Sequence, residues 1–260
     1  MHHALSAVAT TWPESKARPA PQPWGPSPVA DDTGCITEGL ALIAERLPVQ
    51  RRLVHAGDFI YEAGECFTEL FVLNAGCCKT VSGSGDGREK LVGLHFRGDW
   101  LGFDGIASGR YVCDAVAMET GQIWSLPYDA LLQAGLKHLP LLALLHTEMS
   151  HQIVRDRNAM LSLSTLQVDA RVADFLRGWA ESLARRGMRT DQIRLRMTRS
   201  EIGNYLGMTL ESVSRSLSRL ARDGLIRFLH DDRRELQILD LQALTDLIQA
   251  GPRPAGATVQ

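Results

Sequence analysis

The sequence predicts an α+β protein: an N-terminal β-roll, a long helix and a C-terminal winged helix-turn-helix. Three observations predict it. Glycines punctuate an apolar, strand-rich stretch from Val49 to Leu126, the pattern turns helical from Pro140, and residues 198–224 spell two short capped helices around a tight turn. Each change of period marks a change of element.

Residues 1–34 hold six of the eleven prolines, Pro13, Pro19, Pro21, Pro23, Pro26 and Pro28, among Ala, Ser and the isolated Trp12 and Trp24. That composition predicts a disordered, partly extended arm, with a partner-docking segment built on the two tryptophans as the alternative. From 35 to 138 the pieces LFVLNAG and LVGLHF alternate with Gly57, Gly64, Gly76, Gly83, Gly85, Gly87, Gly93, Gly98, Gly102, Gly105 and Gly109, implying many tight turns and hence a β-barrel or roll. The glycines of GSGDGRE belong to a hairpin turn.

Pro140 takes a favoured first-turn position of a helix that runs to about Gln167, with Leu141, Leu142, Leu144 and Leu145 close behind. Heptads written from Leu142 place Leu142, His146, Met149, Ile153, Asp156, Met160, Leu163 and Gln167 on one seam, a dimerisation stripe broken by a histidine and a carboxylate. Across a two-fold axis Asp156 would meet its own copy; in the alternative, the helix rotates and Asp156 stays wet beside Arg155 or Arg157. A further helix from Val168 to about Arg186 and a linker at Gly187 lead to the last domain, 168–250, followed by a disordered tail at 251–260.

In that domain Thr198 and Glu201 form a capping box, Ile202 and Leu206 share one face, and Gly207 ends the first helix. Thr209 caps a second, which turns Val213, Leu217 and Leu220 inward and ends at Gly224. Glu211, Ser212, Ser214, Arg215, Ser218, Arg219 and Arg222 remain outward. Glu211 can accept from cytosine N4, while Arg215, four residues on, can donate a fork to guanine O6 and N7. Thr198, Arg199 and Thr209 join them as candidate DNA contacts. Leu225–Leu229, Asp231–Asp232 and Glu235–Leu239 read as strand, turn and strand, the wing.

The segments MTRSEIGNYLGMTLESVSR, LVGLHFRGDWLGFDGIASG and MSHQIVRDRNAMLSLS resemble the Crp/Fnr family of bacterial transcription regulators, its Fnr branch in particular, over roughly residues 36 to 245. The resemblance implies a cyclic-nucleotide-binding-like jelly roll as sensory domain and an E-x-x-S-R reader, matched by Glu211, Ser214 and Arg215. It further implies a TTGAT-N4-ATCAA-like palindrome bound by a homodimer, and a cytoplasmic activator working on RNA polymerase.

Charge agrees. The net charge of −2 conceals 13 Lys or Arg against 19 acids in residues 1–170, and 14 Arg, no Lys and 10 acids in 171–240. Positive charge gathered on the reader is what phosphate attraction requires. No apolar run is long enough for a membrane span, no signal-peptide core is present, and no nucleophile elbow, phosphate-cradling loop or metal motif supports an enzyme. A complete DNA reader on the same chain also opposes a regulatory subunit of a larger machine.

The signal is not legible. Where the family's cyclic-nucleotide sites carry a Gly-Glu pair and an arginine followed by serine or threonine, this chain has Gly102, Phe103 and Asp104, and Arg110 precedes Tyr111; Arg110 reads as a surface loop residue. An Fnr-type iron–sulfur cluster needs four thiolates, but Cys35 stands alone near the N-terminus, Trp124 holds the fourth ligand's position, and Cys66, Cys77, Cys78 and Cys113 lack metal-like spacing. Cys77 and Cys78 should face opposite sides of one strand, and the default for all five is a reduced thiol. No cofactor is therefore expected. A thiol redox switch, haem on His55, His95, His138, His146 or His151, and a regulator without effector stay open, none of the histidines lying in a motif.

Overall fold

The computed structural model describes residues 33–83, 89–230 and 233–249. The proline-rich arm through residue 32, the tip of the GSGDGRE turn at 84–88, Asp231 and Asp232, and the tail from 250 onward lie outside the described residues. The first described element is α1 (Thr33–Arg46), a helix that composition does not predict and that takes Thr33 and Gly34 out of the expected arm. Leu40 and Ile43 lie on its buried face, and Leu47 continues that spacing just past its end.

Two antiparallel sheets form the roll. One is ordered β1 (Gln50–Val54), β8 (Gly121–Pro127), β3 (Glu69–Ala75), β6 (Trp100–Leu101); the other β2 (Phe59–Tyr61), β7 (Asp114–Ala117), β4 (Cys77–Gly83), β5 (Glu89–Phe96). The run Leu70–Leu73 in β3 is apolar at every position because both faces of the strand are covered. Phe71 and Leu73 point between the sheets toward Ile60, Tyr61, Tyr111 and Ile123. Leu70 and Val72 point outward, where α1, α2 (Tyr128–Lys137) and the long α3 (Leu139–Thr165) pack over them with Trp100, Leu126 and Leu141. Fully burying each such leucine contributes about 1.5–3 kcal/mol.

Gly93 is not a turn residue. It lies inside β5, and a Cβ there would stand 2.8 Å from His95 Nε2 and still closer to the Thr80 hydroxyl, at the register shift between Thr80 and Val81. Its glycine is required for close approach.

Leu166 is extended (φ −89°, ψ 142°) and separates α3 from α4 (Val168–Ala184). Val172, Ala173, Leu176, Trp179 and Ala180, spaced at helical intervals, make α4 the spine of the C-terminal domain. Against it pack α6 (Leu210–Arg222) and α7 (Leu241–Gln249). The wing has three strands, with β11 (Glu235–Ile238) between β10 (Ile226–Phe228) and β9 (Gln192–Arg194), the last unforeseen in the sequence. Arg171 ties the domain's entry to its reader: Nη1 donates to the Leu206 carbonyl at 2.8 Å and Nη2 to the Leu166 carbonyl at 3.0 Å. Both are helix-end carbonyls with no partner in their own helix.

The C-terminal domain lies on the outer face of the second sheet. Leu91 of β5 belongs to the reader's core, and Leu94, Phe96 and Met118 lean on it. A buried ion group closes the seam: Asp99 accepts from Arg186 Nη2 at 2.9 Å and from Arg155 Nη1 of α3 at 3.4 Å, and its other oxygen accepts from the Phe96 N–H at 2.8 Å. Three parts of the chain meet at one carboxylate.

Candidate nucleic-acid interface

The first reader helix, α5 (Arg199–Leu206), starts as its sequence dictates. Thr198 Oγ1 accepts from the Glu201 N–H at 3.2 Å, and Glu201 Oε2 accepts from the Thr198 N–H at 2.8 Å. Gly207 ends it in the left-handed region (φ 63°), and Gly203 lets the turn close, since a Cβ there would sit 2.6 Å from the Met208 carbonyl. Thr209 then caps α6, accepting from the Ser212 N–H at 3.2 Å. Such a cap contributes about 1 kcal/mol.

Val213, Leu217 and Leu220 are buried against α4, and Ser216 is buried beside them. What α6 presents is Glu211 and Arg215, both exposed, with Ser212, Ser214 and Ser218 half-exposed between and beyond them. The Glu211 carboxyl is held below its ordinary range, first by its own backbone N–H and then by the Thr209 hydroxyl, so it faces solvent charged. Arg215 Nη2 reaches only the Ser212 hydroxyl, at 3.4 Å. Positions 211, 214 and 215 share one face at helical spacing, the arrangement a major-groove reader needs.

The other candidate contacts are committed elsewhere. Arg199 Nη2 donates to the Arg233 carbonyl at 2.6 Å and its guanidinium lies over the Phe228 ring at 5.8 Å, joining α5 to the wing. Arg219 is ion-paired with Asp169 at the start of α4. Thr198 and Thr209 spend their hydroxyls as caps. These four hold the reader's shape in the free protein.

The reader is also moored to the roll, through contacts that no sequence spacing predicts. Lys79 Nζ donates to Glu201 Oε1 at 2.5 Å. Asn204 Oδ1 accepts from the Leu91 N–H and its Nδ2 donates to the Glu89 carbonyl, each at 2.7 Å, while Lys90 Nζ donates to the Asn204 and Tyr205 carbonyls at the end of α5. Arg196 pairs with Glu119 at 2.6 Å. The partners of Glu201, Asn204 and Tyr205 lie more than a hundred residues away in the chain, beyond any local spacing rule. Even so moored, α6 keeps Glu211 and Arg215 open.

Residues 51–138 match the cyclic nucleotide-binding domain family and residues 170–247 the Crp-like helix-turn-helix domain family. Over 185 residues the chain is 33% identical to the electron transport regulator A of Shewanella oneidensis, covering 71% of this chain and 72% of that protein. It is 32% identical, with the same coverage, to the fumarate and nitrate reduction regulatory protein of Escherichia coli. The chain belongs to the Crp/Fnr family. Its structure superposes on FixK2 from Bradyrhizobium japonicum with a TM-score of 0.67 at 26% identity, over 77% of this chain and 98% of that one. This Crp/Fnr protein is a transcription regulator with a DNA-binding reader, not an enzyme, and no described helix is long and apolar enough to cross a membrane.

Inside the roll of this Crp/Fnr regulator, aromatic rings occupy the space between the sheets. Tyr61 stacks on Tyr111 at 4.1 Å between ring centroids and on Phe71 at 5.4 Å, and Tyr111 donates to the Glu69 carbonyl at 2.7 Å. Asp104 accepts from the Val112 and Cys113 N–H groups at 2.9 and 3.1 Å, and Arg110 Nη1 donates to the Gly64 carbonyl at 2.6 Å. Asp104 and Arg110, which stand where the family's cyclic-nucleotide sites carry an acid and an arginine, are thus bonded to the roll's own backbone.

Cys78 is buried between the sheets and Cys77 on the opposite face of β4, toward the reader. Burial pushes both Cys77 and Cys113 up to about 12, with the carboxylates of Glu119 and Asp104 adding to it, and pushes Cys78 up as well. Trp124 is buried on β8, with the Arg51 guanidinium 5.2 Å above its ring. His95 is buried next to Thr80, and burial lowers its imidazole to about 4. His55 lies near Asp58 and His151 near Glu148, on the surface, while His146 is exposed. No group of three or more metal-ligating side chains converges among the described residues.

On α3 the predicted seam divides. Leu142 and Met149 are partly buried against the roll's own helical layer, whereas Ile153, Met160 and Leu163 are exposed, with Asp156 among them. Arg155 is drawn away from Asp156, donating instead to Asp99 and to Gln152 Oε1, the latter at 2.8 Å. Asp156 accepts from the Gln152 amide at 2.7 Å, and burial lifts its carboxyl above the ordinary range against the opposing effects of that bond and of the Arg155 charge.

Proposed function

We propose that the protein is a homodimeric, sequence-specific regulator that reads a TTGAT-N4-ATCAA-like palindrome, one half-site per chain, in the cytoplasm and with RNA polymerase as its partner. The observation that carries the reading is the open trio Glu211, Ser214 and Arg215 on a helix whose other side is buried. Two copies related by a two-fold axis match an inverted repeat with half-sites about one helical turn apart. The exposed Ile153, Met160 and Leu163 supply an apolar stripe for that pairing. Fluorescence anisotropy on the palindrome and on a scrambled duplex, with light scattering of the complex at a stated salt concentration, tests it. We expect preference for the palindrome and two chains per full site; one chain per site, or equal affinity for both duplexes, would refute the reading.

The roll in this reading works without a cyclic nucleotide, an iron–sulfur cluster or haem. The prior engagement of Asp104 and Arg110 supports the first exclusion, the single cysteine near the N-terminus, Cys35, the second, and the burial of His95 with its Nε2 taken up by the Thr80 hydroxyl the third. Thiols pushed up as far as those of Cys77 and Cys113 hold little thiolate, which favours a regulator set by abundance over a redox switch.

Asp156 sets how readily the dimer forms. With Arg155 engaged elsewhere, two Asp156 carboxylates facing each other repel or share a proton, weakening the dimer by about 1–3 kcal/mol. Asp156→Ala is therefore expected to dimerise at lower protein concentration, read by sedimentation. A dimerisation constant equal to that of the unaltered chain would remove Asp156 from the seam.

A further inference from the structure

Between the roll and the reader lies a cleft of about 480 Å³, within the usual span of small-molecule sites. Five arginines line it: Arg97 from the roll, Arg186 and Arg189 from the loop that follows α4, and Arg194 and Arg196 from β9 and the segment after it. Only two carboxylates, Glu119 and Glu235, share the lining, so the walls carry three positive charges in excess.

Part of that charge is answered within the protein. Arg186 pairs with Asp99 at 2.9 Å, Arg189 with Asp191 at 2.8 Å and Arg196 with Glu119 at 2.6 Å. Arg194 has a looser contact with Glu235, at 3.5 Å. The Arg97 guanidinium has no carboxylate partner among the described residues; the residue's carbonyl accepts from Arg186 Nε at 2.7 Å. Like charges gathered in one cleft repel, and each planar fork suits a carboxylate or phosphate. The floor is apolar, formed by Phe96 and Trp179 packed edge-to-face at 5.2 Å. An organic body with acidic groups at its rim meets both needs.

We propose that this cleft binds a small organic polyanion, a molecule bearing two or more carboxylate or phosphate groups, gripped by Arg97 from the roll and by Arg194 and Arg196 from the reader. The site is separate from the space between the sheets, and its walls come from two domains. An occupant would therefore add contacts across the seam and raise the temperature at which the chain unfolds.

Calorimetric titration of the full chain with citrate and, separately, with tripolyphosphate tests this at constant ionic strength, with chloride as the balancing ion. The two probes distinguish carboxylate from phosphate recognition. We expect saturable 1:1 binding of at least one probe, a raised unfolding midpoint in its presence, and at least tenfold weaker binding in Arg97→Gln, whose side chain fills no core and whose own midpoint without anion checks its folding. Arg110→Gln, altered on the roll at a distance from the cleft, is expected to bind as the unaltered chain does. Absence of saturable binding by both probes overturns the proposal, as does equal binding by Arg97→Gln or loss of binding in Arg110→Gln. If Arg97→Gln instead weakens binding to random-sequence DNA and lowers its salt slope by about one, with no anion effect, the arginines serve the DNA backbone and the proposal fails.

Discussion

Asp99→Ala is expected to destabilise the protein by about 3–5 kcal/mol in urea unfolding, the cost of leaving a buried charge without its partner. Arg186 is nearly inaccessible, with 4% of its side chain exposed, and Asp99 is its carboxylate. Arg155 would lose its contact too, and the Phe96 N–H its acceptor. The double change Asp99→Ala with Arg186→Met removes both charges and should recover most of the loss; if the double variant is as unstable as the single one, the damage lies in packing and not in the stranded cation.

Acid should act on the same cluster. Burial alone would raise the Asp99 carboxyl, but the guanidinium groups of Arg186 and Arg155 outweigh it and hold the group below its usual range. A depressed carboxyl contributes stability that is present above its unfolded value and is lost as pH falls through the folded one. His95, neutral and buried, adds a loss at higher pH: the unfolded imidazole takes a proton near 6.5 and the folded one only near 4, so stability falls across that interval. The acid limb of a stability profile should begin near 6.5, and His95→Phe should flatten its upper part.

Arg215→Ala should lose about 1–3 kcal/mol of affinity for the cognate palindrome and almost none for random DNA, as expected for a bidentate base contact. The side chain is exposed and makes one long contact, to Ser212, so its removal leaves the domain intact. Glu211→Ala should relax specificity while non-specific affinity holds or rises, because a negative charge near the phosphates is gone. Equal loss on both duplexes for Arg215→Ala would make that residue a backbone contact.

Features encoded over a few residues were legible in the sequence. The capping box at Thr198 and Glu201, the αL stop at Gly207 and the cap at Thr209 are each written within four positions, and each stands where expected. The roll could be read from its glycines because Gly57, Gly64, Gly76, Gly98, Gly102 and Gly109 all adopt positive φ. Gly93 misled, since a glycine needed for clearance beside Thr80 and His95 looks like one needed for a turn. α1 was hidden behind the composition of the arm before it, and β9 is only three residues long, with one apolar residue, Ile193. The partners of Arg199 and Arg219 could not be read, because sequence shows a charge but not the group that faces it across the fold.

Asn204 has a consequence for β5. That strand ends its sheet, so its outer row of N–H and C=O groups has no neighbouring strand. By accepting from the Leu91 N–H and donating to the Glu89 carbonyl, the Asn204 amide imitates the next strand's backbone and finishes the sheet with one side chain. Whenever the reader lifts away, that edge reopens together with the apolar Leu91, and an open edge can pair with an identical edge on another molecule. Mobility of the reader and resistance to self-association are thus opposed in this chain, with Lys90, a cation set between the two exposed groups, as the remaining guard against chain-to-chain pairing.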